Sequence, residues 1–397
     1  MSFKVAVIGQ GYVGLPLSLA AANVGHNVIG VDLDRQKIEL LNSGISPIED
    51  IPSDAILKVI FTKKYLATIS YEEITNCDVI CICVPTPLGE DRKPDLGPLK
   101  IALTEVGKHL KENTLVIIES TIQPGATRNI LAPILEKQSS LSLDRFYLAY
   151  SPERIDPRNL QWNIQNTPKL VAGLNEQSAS RAIDFYSSFV KNVELCNSLE
   201  IAETAKLLEN TFRFINISFI NELSIFCQKL GINILEVIDA AATKPYGFMP
   251  FYPSIGVGGH CIPVDPLYLA EKSREIGASL KFIELADLVN INMPKYFVDR
   301  ANKRLNGLSD KKILVIGVSY KPNVADVRES PVSALIIGLR QEGAKVFWHD
   351  DLVKEWNGEK SVALSSDFDL AIIATPHDYI DLSVLRNVPI LDTRGSI

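Results

Sequence analysis

The chain has 397 residues, 46% hydrophobic and 22% charged, a globular composition long enough for two or three domains. A net charge of −7 gives no basic footprint and argues against a general nucleic-acid surface, and no apolar run approaches the ~18 residues of a membrane helix. The N-terminal MSFKVAVIGQGYVG enters a strand at once and leaves no room for a signal peptide, so the six cysteines are expected to be reduced thiols in the cytoplasm.

In chain order, KVAVIG reads as an apolar strand, a helix follows from about Val13 to Val24, and NVIGVD is the next strand. CDVICICVP, NTLVIIES and FYLAYSPER are three more short β-rich runs with helical stretches between them. Strands alternating with helices predict a parallel sheet covered on both faces, over residues 1–196. Cys77, Cys81 and Cys83 lie in or beside one buried strand and read as small core residues; Cys196 and Cys227 have no motif around them and get the same reading.

The pattern changes near Ser198. LEIAETAKLLENTFRFINISFINELSIFCQKLG predicts one long helix closed by Gly231. NILEVIDAAAT and LKFIELADLVNINMPKYFVDRANKRL predict two more, with GVGGHCIPVDP in the loop between them. This helical middle segment spans 197–300. A second α/β unit, 301–397, begins at DKKILVIGVSY and continues with the strands AKVFWHD, DLAIIATP and VPILDTRG. The expected architecture is α/β: two Rossmann-like doubly wound domains joined by a helical spine.

Gly9, Gly11 and Gly14 form G-x-G-x-x-G between a strand and a helix. This context lets a pyrophosphate approach the helix N-terminus, with Tyr12 and Val13 in the same turn. Asp32 ends the second strand, where an acid binds the adenosine ribose 2′-OH and repels a 2′-phosphate, so NAD is expected over NADP. Lys37, one turn on, either approaches the ribose or is a solvated helix residue. Pro85 and Thr86 in VPTP, and Ser120 and Thr121 in EST, follow apolar strands and point to the same crevice; a threonine there can also simply end a strand.

Cys261 is unlike the other cysteines. An NAD enzyme that stops at a ketone needs no thiol, whereas one that oxidises an aldehyde further can add a thiolate to it, lose hydride to form a thioester, and hydrolyse that. Gly258 and Gly259 would admit a sugar close to the backbone, Pro263 and Pro266 would stiffen the turn, and Asp265 could order a water or a partner lysine. His260 either raises thiolate character or is a structural loop histidine.

GQGYVGLPL, VPTP, EST, YSPER, AETAKLLENT, GVGGHCIPVDP and SYKPNVADVRES occur in one order along nearly the whole chain. In this the chain resembles the UDP-glucose/GDP-mannose dehydrogenase family, which oxidises a nucleotide sugar at C6 from alcohol to carboxylate with two NAD. GGHCIPVDPLYL resembles the branch acting on UDP-N-acetylhexosamines, of UDP-N-acetylglucosamine 6-dehydrogenase type, more than the UDP-glucose branch. The resemblance implies a cytoplasmic enzyme making a uronic acid for surface polysaccharide, commonly a homodimer or higher homo-oligomer, here through the central helix. It implies Cys261 as nucleophile, Lys206 and Asn210 as the pair facing an oxyanion, and Asp265 beside them. It further implies Glu153 as the acid serving thioester hydrolysis and Thr121 as a water-holding hydroxyl. A surface ion pair is the alternative for Glu153. Glu153, Arg154, Lys206, Asn210, Tyr252, Gly258, Lys321 and Arg394 are the implied substrate contacts, and Arg328 reaches the cofactor. No metal is expected.

Two departures stand out: Tyr252 and Ser254 occupy positions where the hexosamine branch often has a basic residue and a glycine, and the chain stops at LDTRGSI, so a C-terminal extension of the family is expected to be absent. Other readings are UDP-glucose or UDP-N-acetylmannosamine as substrate, a two-electron β-hydroxyacid dehydrogenase, which needs neither Cys261 nor a third domain, and a catalytically dead binding protein. NADH counted per sugar separates them.

Overall fold

A computed structural model describes residues 2–48, 51–155, 159 and 161–395. The chain forms two compact units, Met1–Leu208 and Glu209–Ile397.

The first unit starts with β1 (Lys4–Ile8), α1 (Gly14–Asn23), β2 (Asn27–Val31), α2 (Arg35–Asn42), α3 (Ser53–Phe61), β3 (Tyr65–Thr68) and β4 (Val79–Ile82). It continues with α4 (Gly97–His109), β5 (Leu115–Ile118), α5 (Ala132–Ser139), β6 (Tyr147–Tyr150), β7 (Lys169–Gly173), α6 (Glu176–Tyr186) and β8 (Val193–Leu195). These strands form one sheet in the order β3-β2-β1-β4-β5-β6-β7-β8. Its first six strands have the dinucleotide-binding order, which reverses between β1 and β4 and opens a crevice at their carboxyl ends. The expectation of a parallel sheet needs one correction: β7 runs antiparallel to β6, pairing Ala149 with Gly173. Strands β1, β4 and β5 are almost wholly buried apolar runs, as central parallel strands are. Their residues join Leu15, Leu17, Phe185 and Tyr186 in one core.

Helix α7 (Leu199–Leu230) contains the break between the units. In the first unit its Glu203 is buried and accepts the backbone N–H of Gly125 at 2.5 Å and Thr127 at 2.9 Å, capping the turn that leads into α5.

The second unit continues α7 with α8 (Ile234–Ala242), α9 (Asp265–Glu275) and α10 (Lys281–Leu305), then β9 (Lys312–Ile316), α11 (Val332–Gln341) and β10 (Lys345–His349). A short hairpin, β11 (Glu355–Trp356) and β12 (Glu359–Lys360), precedes β13 (Leu370–Ile373) and β14 (Ile390–Asp392). The parallel sheet has the order β10-β9-β13-β14. Ile313, Val315, Ile372 and Trp348 pack there with Phe297 and Leu335.

The two sheets repeat one construction. Gly9 follows β1 at φ +92° and Gly317 follows β9 at φ +81°. A Cβ on Gly9 would lie 2.7 Å from the Cys83 carbonyl oxygen, and one on Gly317 would lie 1.8 Å from that of Thr375, so only glycine fits either place. The next N–H donates to an aspartate ending the neighbouring strand: Gln10 to Asp32 at 2.8 Å, Val318 to Asp350 at 2.9 Å. They differ in what else holds the acid. Asp32 keeps some exposure, whereas Asp350 is fully buried under His377, whose Nε2 lies 2.9 Å from it and whose Nδ1 accepts the Asn323 N–H.

Candidate functional site

The glycine turn of the first unit meets the strand-end loops beside it. Ser120 Oγ donates to the Val84 carbonyl at 2.7 Å and Thr86 Oγ1 to the Thr121 carbonyl at 2.8 Å, so Pro85, Thr86, Ser120 and Thr121 form one knitted rim next to Gly9. Gly11 has nothing within 4 Å of where a Cβ would stand, Tyr12 is exposed, and Val13 and Gly14 open α1 without a side-chain cap. A Cβ on Gly14 would strike the Gly9 carbonyl at 1.8 Å. Asp32 accepts the N–H groups of Gln10 and Asp34 and the Lys37 ammonium at 2.7 Å. Burial pushes its pKa up, but Lys37 and the two N–H donors outweigh that, and the carboxyl titrates below the usual range. Lys37 is therefore the ion-pair partner of the acid rather than a solvated helix residue. A bare uncapped turn and an ionised acid at the next strand end fit a dinucleotide.

Beyond β5 and β6 lies a buried charged cluster. Lys169, the first residue of β7, donates to Glu119 at 2.6 Å and to Glu153 at 3.3 Å. Tyr186 donates to the other Glu119 oxygen at 2.5 Å. Glu153 also accepts the N–H groups of Arg154 at 2.6 Å and Ile155 at 2.7 Å on one oxygen. Burial raises the Glu119 pKa, against the pull of Lys169 and Tyr186. Burial also works against the charge on Lys169, but the two carboxylates more than offset it and hold its pKa above the ordinary lysine range. Arg154 Nη1 donates to the Pro168 carbonyl at 2.8 Å.

In the second unit, the loop carrying the cysteine is held along its length. Ser254 accepts the Gly256 N–H at 3.3 Å, Asn221 accepts the Ser254 N–H at 2.7 Å, and Asn290 pairs with both backbone groups of Val257. Gly256 (φ +140°) and Gly259 (φ +89°) lie in conformations that favour glycine. A Cβ on Gly258 would meet the Glu329 carbonyl at 2.8 Å and Pro331 at 2.9 Å; one on Gly259 would meet the Tyr320 ring at 2.8 Å. On the side where each Cβ would stand, the close approach these glycines allow is taken up by the chain itself.

Cys261 follows and is the one exposed cysteine of the six; four are buried and Cys196 is intermediate. Its carbonyl accepts the Asp265 N–H at 2.9 Å, which opens α9 directly behind it. Asp265 is buried and takes the Asn210 amide at 2.5 Å. Burial and then Arg328 lower the His260 pKa, so its imidazole is neutral at neutral pH and supplies no positive charge to a thiolate. The remaining cysteines behave as core groups: burial pushes Cys77 to about 11 and Cys81 and Cys83 well above the ordinary thiol value.

Arg328 is half-exposed and makes a bidentate pair with Asp326, at 2.9 and 2.6 Å. Lys321 is half-buried in the loop after Gly317, and Tyr252 stands exposed ahead of the cysteine loop. Arg394 follows β14; its backbone N–H is held by Asp392 at 2.9 Å, and its Nε is buried with no hydrogen-bond partner among the described residues. Lys206, half-buried, and Asn210 lie one turn apart on α7.

Three family models match consecutive stretches: the UDP-glucose/GDP-mannose dehydrogenase NAD binding domain at residues 3–190, central domain at 200–292 and UDP binding domain at 314–397. The chain belongs to the UDP-glucose/GDP-mannose dehydrogenase family. It is 36% identical to a UDP-N-acetyl-D-glucosamine 6-dehydrogenase of Pseudomonas aeruginosa, covering 86% of this chain and 81% of that one. It is 34% identical to a UDP-N-acetyl-D-mannosamine dehydrogenase of Campylobacter jejuni, covering 86% and 84%. Its fold matches the structure of a UDP-D-ManNAc dehydrogenase of Pyrococcus horikoshii with a TM-score of 0.91 at 32% identity, over 99% of this chain and 96% of that one.

This nucleotide-sugar 6-dehydrogenase thus carries an NAD-binding and a UDP-binding domain. Three of its buried polar residues had no sequence reading of their own. Glu119 stood unremarked inside EST, and Glu203 inside AETAKLLENT. Lys169 lies in TPKLVAG with no motif; a lysine opening an apolar strand was the available signal. No helix among the described residues is long and apolar enough to cross a membrane.

Proposed function

We propose that this dehydrogenase oxidises a UDP-N-acetylhexosamine, of gluco configuration at C2, by four electrons at C6 to the uronic acid, for surface polysaccharide. The observation that carries the reading is Cys261: the exposed thiol of the six, set behind glycines with Asp265 and Asn210 tied together at 2.5 Å. Bound NAD, used twice per sugar, accepts the hydride of each oxidation. Lys206 and Asn210 stabilise the C6 alkoxide and then the tetrahedral oxyanion. The Cys261 thiolate adds to the C6 aldehyde, forming the S–C bond of a thiohemiacetal; loss of the C6 hydride leaves a thioester. Glu153 takes a proton from the attacking water, with Thr121 holding that water, and the S–C bond breaks to return the thiolate and release the carboxylate.

Gly9, Gly11, Tyr12, Val13 and Gly14 seat the pyrophosphate. Asp32 takes the ribose, Pro85, Thr86 and Ser120 line the nicotinamide side, and Lys37 and Arg328 complete the cofactor contacts. Lys321 and Arg394 bind the uridine diphosphate, and the buried orphan Nε of Arg394 suits an anionic partner. Arg154, Tyr252 and Gly258 contact the sugar. The second reading, the manno epimer, has a relative of that printed activity at 34% identity in its favour.

A panel of UDP-sugars scored for NADH tests the proposal. Two NADH per UDP-N-acetylhexosamine are expected, with no acid from Cys261→Ser and NAD affinity unchanged. One NADH per substrate, or full acid formation by the serine variant, overturns it.

A further inference from the structure

The charged cluster of the first unit holds more than an ion pair needs. Lys169 and Glu119 alone, at 2.6 Å with Tyr186 on the far oxygen, would make a complete buried pair. Glu153 is a third member, brought from the segment after β6. Two N–H groups fix one of its oxygens, and Lys169 holds the other at 3.3 Å. Two carboxylates and one ammonium leave the cluster with one net negative charge. Lys169, held charged by both acids, does not itself take up a proton near neutral pH.

We infer that Lys169 is a positioning residue for Glu153: it holds the second oxygen of that carboxylate and so orients it toward the hydrolytic water. Glu119 makes the shorter contact with Lys169, 2.6 Å against 3.3 Å, so the ammonium orients Glu153 while its main ion pair lies with the other acid. This rests on the reading of Glu153 as the proton acceptor in thioester hydrolysis. Removing the ammonium leaves two buried carboxylates side by side, and one of them must protonate. The residue that binds neither sugar nor cofactor would then control the last step alone.

The test is rapid-quench kinetics with intact-mass analysis on the full-length enzyme. Lys169→Met is expected to give a burst of two NADH per active site at within a few-fold of the wild-type rate. Steady-state turnover is expected to fall about 100-fold, with a uronyl thioester mass on Cys261. Lys169→Arg, which restores the charge, is expected to recover most of the steady-state rate and lose the adduct, which a merely structural defect would not do. If Lys169→Met does not fold, the double variant Glu119→Gln/Lys169→Met removes the buried pair together and still leaves the second Glu153 oxygen unheld, so it is expected to show the same adduct. Hydrolysis at the wild-type rate in the folded single or double variant overturns the inference. Glu153→Gln separates the two claims. If it accumulates the adduct and the Lys169 variants do not, Lys169 alone is misassigned; if it turns over normally, the role of Glu153 falls and this inference with it.

Discussion

On the proposed function, the cofactor preference is a property of two residues, Asp32 and Lys37. The acid is ionised near neutral pH because Lys37 and two N–H groups outweigh its burial. Its folded pKa lies below 3.8, so its contribution to stability is full above that value and is lost as pH falls through the folded pKa. A 2′-phosphate would meet this carboxylate, with the neighbouring ammonium already engaged. Asp32→Ser should remove the repulsion and release Lys37 for the phosphate. The ratio of kcat/KM for NAD to that for NADP is expected to fall at least tenfold, about 1.4 kcal/mol. An unchanged ratio would show that the discrimination lies elsewhere. At this scale the sequence was legible where a motif crowds residues together, as at Gly9 to Gly14 or around Cys261. It was not legible for Lys169, whose partners Glu119 and Glu153 lie 50 and 16 positions away and meet it only in the folded sheet.

The cysteine loop shows how elements enforce a geometry. Asn290 on α10 supplies an acceptor at 2.5 Å and a donor at 3.3 Å to Val257, standing in for a paired strand where none exists. Asn290→Ala should leave both backbone groups unsatisfied in a buried place, costing about 1–3 kcal/mol. Calorimetry should show the lowered melting temperature, and Cys261 should react faster with a thiol reagent; no change in either would mean the loop is held by its glycines alone. Helix α9 was not foreseen. Pro263 and Pro266 read as turn residues, but Pro266 falls in the first helical turn, where its missing N–H costs nothing. β3, β7 and β8 were likewise missed; β3 and β8 are only four and three residues long. The long helices were plain, and the structure ends them within two residues of where the sequence did.

For the whole molecule, alternating strands and helices at each end of the chain announced two nucleotide-binding sheets, and both are present. Association was less legible, because it depends on which apolar residues remain outside. Phe212, Phe219, Phe226 and Leu230 are all exposed on α7, spaced seven, seven and four apart along one face. Such a stripe suits a second copy of the same helix. If this stripe pairs two copies, the wild type has the mass of two chains by light scattering and replacing Phe219 and Phe226 together by Glu lowers it to one, with the far-UV circular dichroism unchanged; an unchanged mass overturns the pairing.

A chain that builds the same glycine-and-aspartate turn twice faces a problem of mistaken address, since each sheet offers the same kind of seat to an adenosine. The surroundings of the two acids differ. At the end of β10 the carboxylate oxygens of Asp350 are already claimed by an imidazole and by backbone and hydroxyl donors, and no solvent reaches them. A ribose arriving there finds its acceptor occupied, while the one arriving at Asp32 finds a carboxylate still open at its edge. Two halves of nearly the same plan thus end in acids of different availability, one closed over by His377 and its neighbouring donors and one open at its edge.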